Sequence, residues 1–135
     1  MKALLDTHVF LWWVLDDERL TPFVRDFVAD GNNELFLSSA SCWEMMIKAK
    51  LGRLTFPEPP EKYIPDQMNR NKLTGLPVQI VHALHIHRLP EHHKDPFDQI
   101  LIAQAQVERM PIITSDSLLA AYDVKILWEK KGKRH

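Results

Sequence analysis

Hydrophobic and polar positions along this chain fall into blocks that switch between short apolar runs and helical stripes. Lys2-Ala3-Leu4-Leu5 breaks at Asp6-Thr7 and continues as an apolar segment from His8 to Leu15. That pattern predicts a strand feeding straight into a helix, with Asp6 at the strand's carboxyl end. Thr21 and Pro22 open a second helix with Phe23, Val24, Phe27 and Val28 as its buried stripe and Gly31 as its stop. Glu34 to Leu37 reads as a second strand. The hydroxyl cluster Ser38, Ser39, Ser41 leads into a helix over Cys42 to Leu51, closed by Gly52, and Ser41 and Glu44 have capping-box spacing. Residues 53–60 carry three prolines and read as loop, and a polar helix over Glu61 to Leu73 is compromised by Pro65. Leu76-Pro77-Val78 is a short strand or turn, and Ile80 to Leu89 a helix closed by Pro90. A helix from Asp95 to about Arg109 follows, then a strand from Pro111 to Ser115 with Asp116 at its end. Ser117 to Tyr122 is a short helix and Lys125 to Leu127 an edge strand. Strands alternating with helices predict an α/β domain, a parallel sheet covered on both faces.

The helix from Asp95 departs most from an ordinary surface pattern. Asp95 suits the N-cap, Pro96 the first helical position, and Asp98 the third, near the positive end of the helix dipole. Ile100, Leu101, Ile102, Ala103 and Ala105 leave almost no polar face, so the helix is expected to be packed inside the domain. An acid at its mouth then stands between core and cavity.

Composition narrows the class. With 135 residues, 45% of them hydrophobic and 26% charged, the chain suits one globular domain over residues 1–128, with a polar tail over 129–135. A formal net charge of -1 gives no global basic field, so contact with nucleic acid has to come from a local patch. The single cysteine, Cys42, forms no internal disulfide and suits a reducing interior. Neither a signal peptide nor a run of membrane length is apparent, and a cytoplasmic location is expected.

Four carboxylates then change the picture. Taken singly, Asp6 and Asp116 read as strand-to-helix caps, Glu44 as half of a capping box and Asp98 as a first-turn acid. A parallel sheet, however, brings every strand's carboxyl end to one edge, so these acids are carried toward one crevice. A close pair there would repel by about 3 kcal/mol at ~5 Å and an effective dielectric constant of ~20. Oxygen-only ligands suit a hard cation, Mg²⁺ or Mn²⁺, better than zinc. Such an ion held by acids serves phosphodiester hydrolysis.

Leu4-Leu5-Asp6-Thr7-His8, Ser38-Ser39-Ala40-Ser41-Cys42-Trp43-Glu44, His93-Lys94-Asp95-Pro96-Phe97-Asp98-Gln99 with its Ala103-Gln104-Ala105 continuation, and Ile113-Thr114-Ser115-Asp116 occur here in that order. In these motifs the chain resembles the PIN-domain ribonucleases, in particular the VapC-type toxins of bacterial toxin–antitoxin pairs, from Leu4 to about Trp128. The resemblance implies a three-layer α/β/α sandwich with an acidic pocket that binds Mg²⁺ and cleaves RNA. Asp6, Glu44, Asp98 and Asp116 match the family's acidic quartet. It implies Asp6 and Asp98 as principal metal ligands, with Glu44 and Asp116 completing the pocket by holding or activating metal-bound water. It also implies a cognate antitoxin protein and a homodimer. Asp95 is extra to the broader family pattern and is expected to cap its helix, and Thr114 to orient Asp116 or a water.

The remaining chemistry-bearing residues have plainer readings. His82, His85, His87, His92 and His93 cluster in sequence without the companions of a zinc site, and His93 is expected beside the acid pocket as a hydrogen-bond partner. Trp12, Trp13, Trp43 and Trp128 suit base stacking, but among aliphatic neighbours they are expected in the core or at a subunit interface. Lys48, Lys50 and Arg53 suit RNA phosphates or a solvated helix face equally. A receiver-like signalling module with an acidic Mg²⁺ pocket is the alternative from another class. It would need a phospho-accepting Asp after the third strand, and none stands near Leu76-Pro77-Val78. A non-catalytic partner-binding domain is disfavoured by an intact quartet.

Overall fold

The structure is a computed structural model that describes residues 1–92 and 94–128. His93 and the tail over residues 129–135 lie outside the described residues, so the expectations placed on them are not addressed by it. Strands β1 (Lys2–Leu5), β2 (Glu34–Ser38), β3 (Thr74–Leu76), β4 (Ile112–Ile113) and β5 (Ile126–Leu127) form one parallel sheet in the order β3-β2-β1-β4-β5. Period-two alternation sends Ala3, Leu5, Leu35, Leu37 and Ile113 to one face and Leu4, Phe36 and Ile112 to the other, and both faces are buried. Helices α1 (Thr7–Val14), α2 (Pro22–Ala29), α3 (Ser39–Lys50) and α4 (Pro60–Arg70) contribute Val9, Phe10, Val24, Met45 and Ile64 to the first core. Helix α6 (Pro96–Glu108) supplies Leu101, Ile102 and Ala105 to the second. The expected three-layer α/β/α arrangement is therefore present.

Strand order also fixes where a crevice opens. From β1 the chain moves outward through β2 to β3, then returns to the opposite side of β1 for β4 and β5. The direction reverses between β1 and β4, the kind of switch point beyond whose carboxyl ends open α/β sheets bind ligands. A receiver module of the flavodoxin-like type has the order 2-1-3-4-5. The order here is different and rules that alternative out.

Several elements differ locally from their sequence expectation. Helix α3 begins at Ser39, not Cys42, because Ser38 takes the N-cap and its hydroxyl accepts the Ala40 N–H at 3.0 Å. Ser41 lies inside the helix, so the Ser41–Glu44 capping box does not exist. Gly52, at φ 74°, closes α3 with paired bonds from Gly52 N to Ala49 O (3.1 Å) and Arg53 N to Lys48 O (2.9 Å). Pro65 is tolerated within α4, where Tyr63 and Ile64 are buried, since tertiary packing outweighs the local penalty. Phe23 of α2 is exposed and Phe27 only half-buried, leaving Val24 and Val28 as its buried stripe. The expected last short helix is a 3-10 turn over Ser117–Ala121.

Helix α5 (Ile80–His85) is pinned to α6 through a buried histidine. His82 Nδ1 accepts the Gln79 N–H at 3.0 Å, so its Nε2–H is the donor to Glu108 Oε2 at 2.7 Å. Buried Gln104 donates to Pro77 O at 3.1 Å, and His85 meets Gln106 at 2.7 Å. The histidines of this helix are spent on structure.

Candidate active site

The site starts from two strand ends. Asp6 follows β1 and occupies the N-cap position of α1, yet its side chain makes no capping bond. Thr114, the residue after β4, instead donates its hydroxyl to Asp6 Oδ2 at 2.7 Å and accepts the Asp116 N–H at 3.0 Å. One buried threonine thus fixes the carboxylate at the end of β1 and the turn that carries Asp116. The sequence reading tied Thr114 to Asp116 or a water, and missed its bond to Asp6. A separation of 108 positions between the partners left no local signal for it.

Burial makes Asp6 unusual. The residue is 6% exposed and pairs with no cationic side chain among the described residues. Desolvation raises its carboxyl pKa above the ordinary aspartate value, and the nearby Glu44 charge raises it further. The Thr114 hydrogen bond, the charge on exposed His8 and the Thr7 backbone amide oppose the rise without cancelling it.

Glu44 reaches the same region from α3. It is 8% exposed, and its Oε2 lies 3.0 Å from Lys48 Nζ one turn later. Helix α3 is held to the start of α1 by Thr7, whose hydroxyl donates to Ser41 Oγ at 2.8 Å in a buried contact. Neither partner was singled out as a site-building residue from sequence, because Ser41 was assigned to a cap. Asp116 is half-buried, and its Oδ1 accepts the Leu118 N–H at 2.9 Å as a cap of the 3-10 turn. Asp98 is half-buried in the first turn of α6, whose N-cap is Asp95, accepting the Phe97 N–H at 2.9 Å. Helix α6 packs on α3, and Trp43, which precedes Glu44, meets Phe97, which precedes Asp98, edge-on at 5.3 Å between ring centroids.

The four acids therefore have different surroundings. Asp6 and Glu44 feel one another directly; Asp116 is joined to Asp6 through Thr114; Asp98 stands at the mouth of the helix beside α3. Among the described residues no three His, Cys, Asp or Glu side chains are drawn together as a ready-made metal ligand set. The donor chemistry still fits a hard cation. A desolvated carboxylate held by a neutral hydroxyl, with a second buried carboxylate close by, is an arrangement that positive charge would stabilise.

With that geometry established, comparison with known proteins is informative. The family model for the PIN domain matches residues 3–125. The chain belongs to the PIN domain family. Ribonuclease VapC16 of Mycobacterium tuberculosis (strain ATCC 25618 / H37Rv) is 43% identical over 61 residues, 45% of this chain and 43% of that protein. The matched stretch is thus less than half of that relative's length. Among solved structures, VapBC2 from Rickettsia felis bound to a DNA fragment from their promoter is similar with a TM-score of 0.71 and 13% identity, over 94% of this chain and 98% of that one. VapBC-5 from Mycobacterium tuberculosis, a member of the VapBC family of toxin-antitoxin systems, gives 0.59 and 19% identity over 93% and 97%. At these identities the structural likeness speaks for the PIN fold.

Proposed function

We propose that this PIN domain is a metal-dependent endoribonuclease, the toxin of a toxin–antitoxin pair, which hydrolyses RNA phosphodiester bonds at the edge where β1 and β4 end. The observation that carries this reading is Asp6, a buried carboxylate at a cap position that does no capping and is bonded instead to Thr114 from the end of the neighbouring strand. Asp6 and Asp98 are the principal metal-holding groups in this proposal, and Glu44 and Asp116 complete the pocket. The ion is Mg²⁺, with Mn²⁺ as an equivalent hard cation, and when bound it supplies a polarised water and charge stabilisation at the scissile phosphate. The protein's own contribution is orientation. Thr114 fixes the Asp6 carboxylate through Oδ2, and Lys48 balances the charge of Glu44.

Resemblance to VapC16 and to VapBC assemblies supports a cognate antitoxin as the restraining partner, and a homodimer and a cytoplasmic location belong to the same proposal. Incubating the purified protein with total RNA tests the activity directly. Cleavage is expected with Mg²⁺, none with EDTA, and a loss of orders of magnitude in an Asp98→Asn variant that keeps shape but removes a negative group. Equal cleavage by Asp98→Asn and the parent would remove Asp98 from the site, and cleavage undiminished by EDTA would remove the metal.

A further inference from the structure

Of the four tryptophans, Trp12, Trp13 and Trp128 pack against the core formed under α1 to α4, as expected of aromatic residues among aliphatic neighbours. Trp43 does not. It is 64% exposed, and among the described residues its ring contact is the edge-on meeting with Phe97. Exposing this much indole leaves a large apolar surface in water, which is unfavourable without a partner to cover it. Its position is also specific, because it meets Phe97 where α3 packs on α6, and two of the proposed metal-holding acids, Glu44 and Asp98, are the next residues on those two helices.

The surroundings of the ring carry a charge pattern. Residues seven apart on a helix fall on nearly the same face, so Lys50 lies two turns, roughly 10 Å, along the face that Trp43 begins. Lys50 and, just past the helix end, Arg53 are both exposed. An aromatic ring followed closely along the chain by exposed cations is the kind of arrangement by which single-stranded nucleic acid is held, bases stacking on the ring and phosphates meeting the charges. The chain as a whole has a net charge of -1, so these cations are a local feature and not part of a general basic surface.

We infer that Trp43, steadied by Phe97, is a stacking platform for an unpaired base of single-stranded RNA, and that Lys50 and Arg53 receive the adjoining phosphates. This deepens the nuclease reading and rests on it for the identity of the substrate. The platform selects single strands because a paired base offers no free face, and it places the backbone of the stacked nucleotide beside Glu44 and Asp98. Trp43 acts as a positioning residue and takes no part in the bond-breaking step. Ile47 and Leu51 are exposed on the same side of α3, so the competing occupant of this face is a second copy of the chain.

The experiment measures binding and chemistry separately on the full-length protein. In EDTA, a mixed-sequence 12-nucleotide single-stranded RNA and its duplex are titrated against the parent, Trp43→Ala, Trp43→Phe and Lys50→Ala, with mass in solution determined at the same concentrations. Expected are single-strand binding with quenched tryptophan fluorescence, weaker duplex binding, and about a 10-fold loss in Trp43→Ala with most of it regained in Trp43→Phe. Lys50→Ala should bind more weakly with a shallower salt dependence. With Mg²⁺, Trp43→Ala should raise KM and leave kcat within about twofold. The inference is overturned by unchanged binding in Trp43→Ala, whether or not its mass changes, or by binding that falls only together with a change in oligomeric state. Absence of RNA binding by the parent overturns it as well, whereas the nuclease reading stands or falls on Mg²⁺-dependent cleavage.

Discussion

Asp6 shows at the scale of one residue why a carboxylate's role is decided by its partner and not by its position. From sequence, an acid between a strand and a helix is first a cap, and Asp95 and Asp116 do cap their elements. Asp6 stands at the same kind of position, but its carboxylate is turned to Thr114. The motif made Asp6 legible as a candidate, whereas the bond that assigns it depends on β1 and β4 lying side by side. A pH dependence follows. The folded pKa of Asp6 is raised, mainly by desolvation, so between the unfolded and folded values the native state binds more protons than the unfolded state. Stability from this group is therefore fully present below the unfolded value and is lost as pH rises through the folded one. Asn in place of Asp6 removes the charge that burial penalises. Without metal, Asp6→Asn should melt above the parent at neutral pH, and the gap should close as pH falls toward 4. Melting curves across that range in EDTA check this, and a gap that stays constant with pH would mean that burial of the charge is not what separates the two proteins.

At the scale of elements, the parallel sheet and the buried α6 were readable because both follow from apolar patterning, whereas the strand order was not read from sequence. What could not be read was decided by neighbours. Ser38 competes with Ser41 for the cap of α3, and Ser38 wins because β2 ends there, which frees Ser41 to receive Thr7 from α1. Pro65 argues against a helix locally, but burial of Tyr63 and Ile64 outweighs it. The mouth of α6 separates two roles that sequence leaves superimposed, since Asp95 satisfies the Phe97 N–H while Asp98 occupies the turn above it. Asp95→Ala should accordingly lower stability by about 1 kcal/mol, the usual cost of a lost N-cap. That corresponds to roughly 2–4 °C in melting temperature for a domain of this size. Asp95→Asn should recover most of it, because Asn caps nearly as well. RNA cleavage by Asp95→Asn is expected close to that of the parent at a temperature where both are folded. A loss of activity as large as that of Asp98→Asn, with melting unchanged, would move Asp95 from the helix cap into the metal pocket.

For the whole molecule, the order β3-β2-β1-β4-β5 gathers charge at one edge of a chain that is otherwise near neutral. Lys48 answers Glu44, but among the described residues Asp6 makes no ion pair with a lysine or arginine and its charged form is penalised by burial, so the domain keeps an unfavourable electrostatic term in its folded state. Anything that binds the native pocket and not the unfolded chain should relieve it. For millimolar affinity, 10 mM Mg²⁺ adds on the order of 1.4 kcal/mol, or roughly 3–6 °C in melting temperature. Asp98 is the sharpest test, because its two roles predict opposite signs. As a first-turn acid alone it contributes about 0.3–1 kcal/mol through the dipole of α6, so Asp98→Asn would melt lower in EDTA and show the same Mg²⁺ shift as the parent. As a member of the acidic edge it adds repulsion, so Asp98→Asn should melt higher in EDTA and gain much less from Mg²⁺. Paired melting curves of both proteins in EDTA and in 10 mM Mg²⁺ distinguish the two. A less stable variant with the full Mg²⁺ shift would leave Asp98 as a helix-end charge and require the ion, if it binds, to be held by Asp6, Glu44 and Asp116 without it.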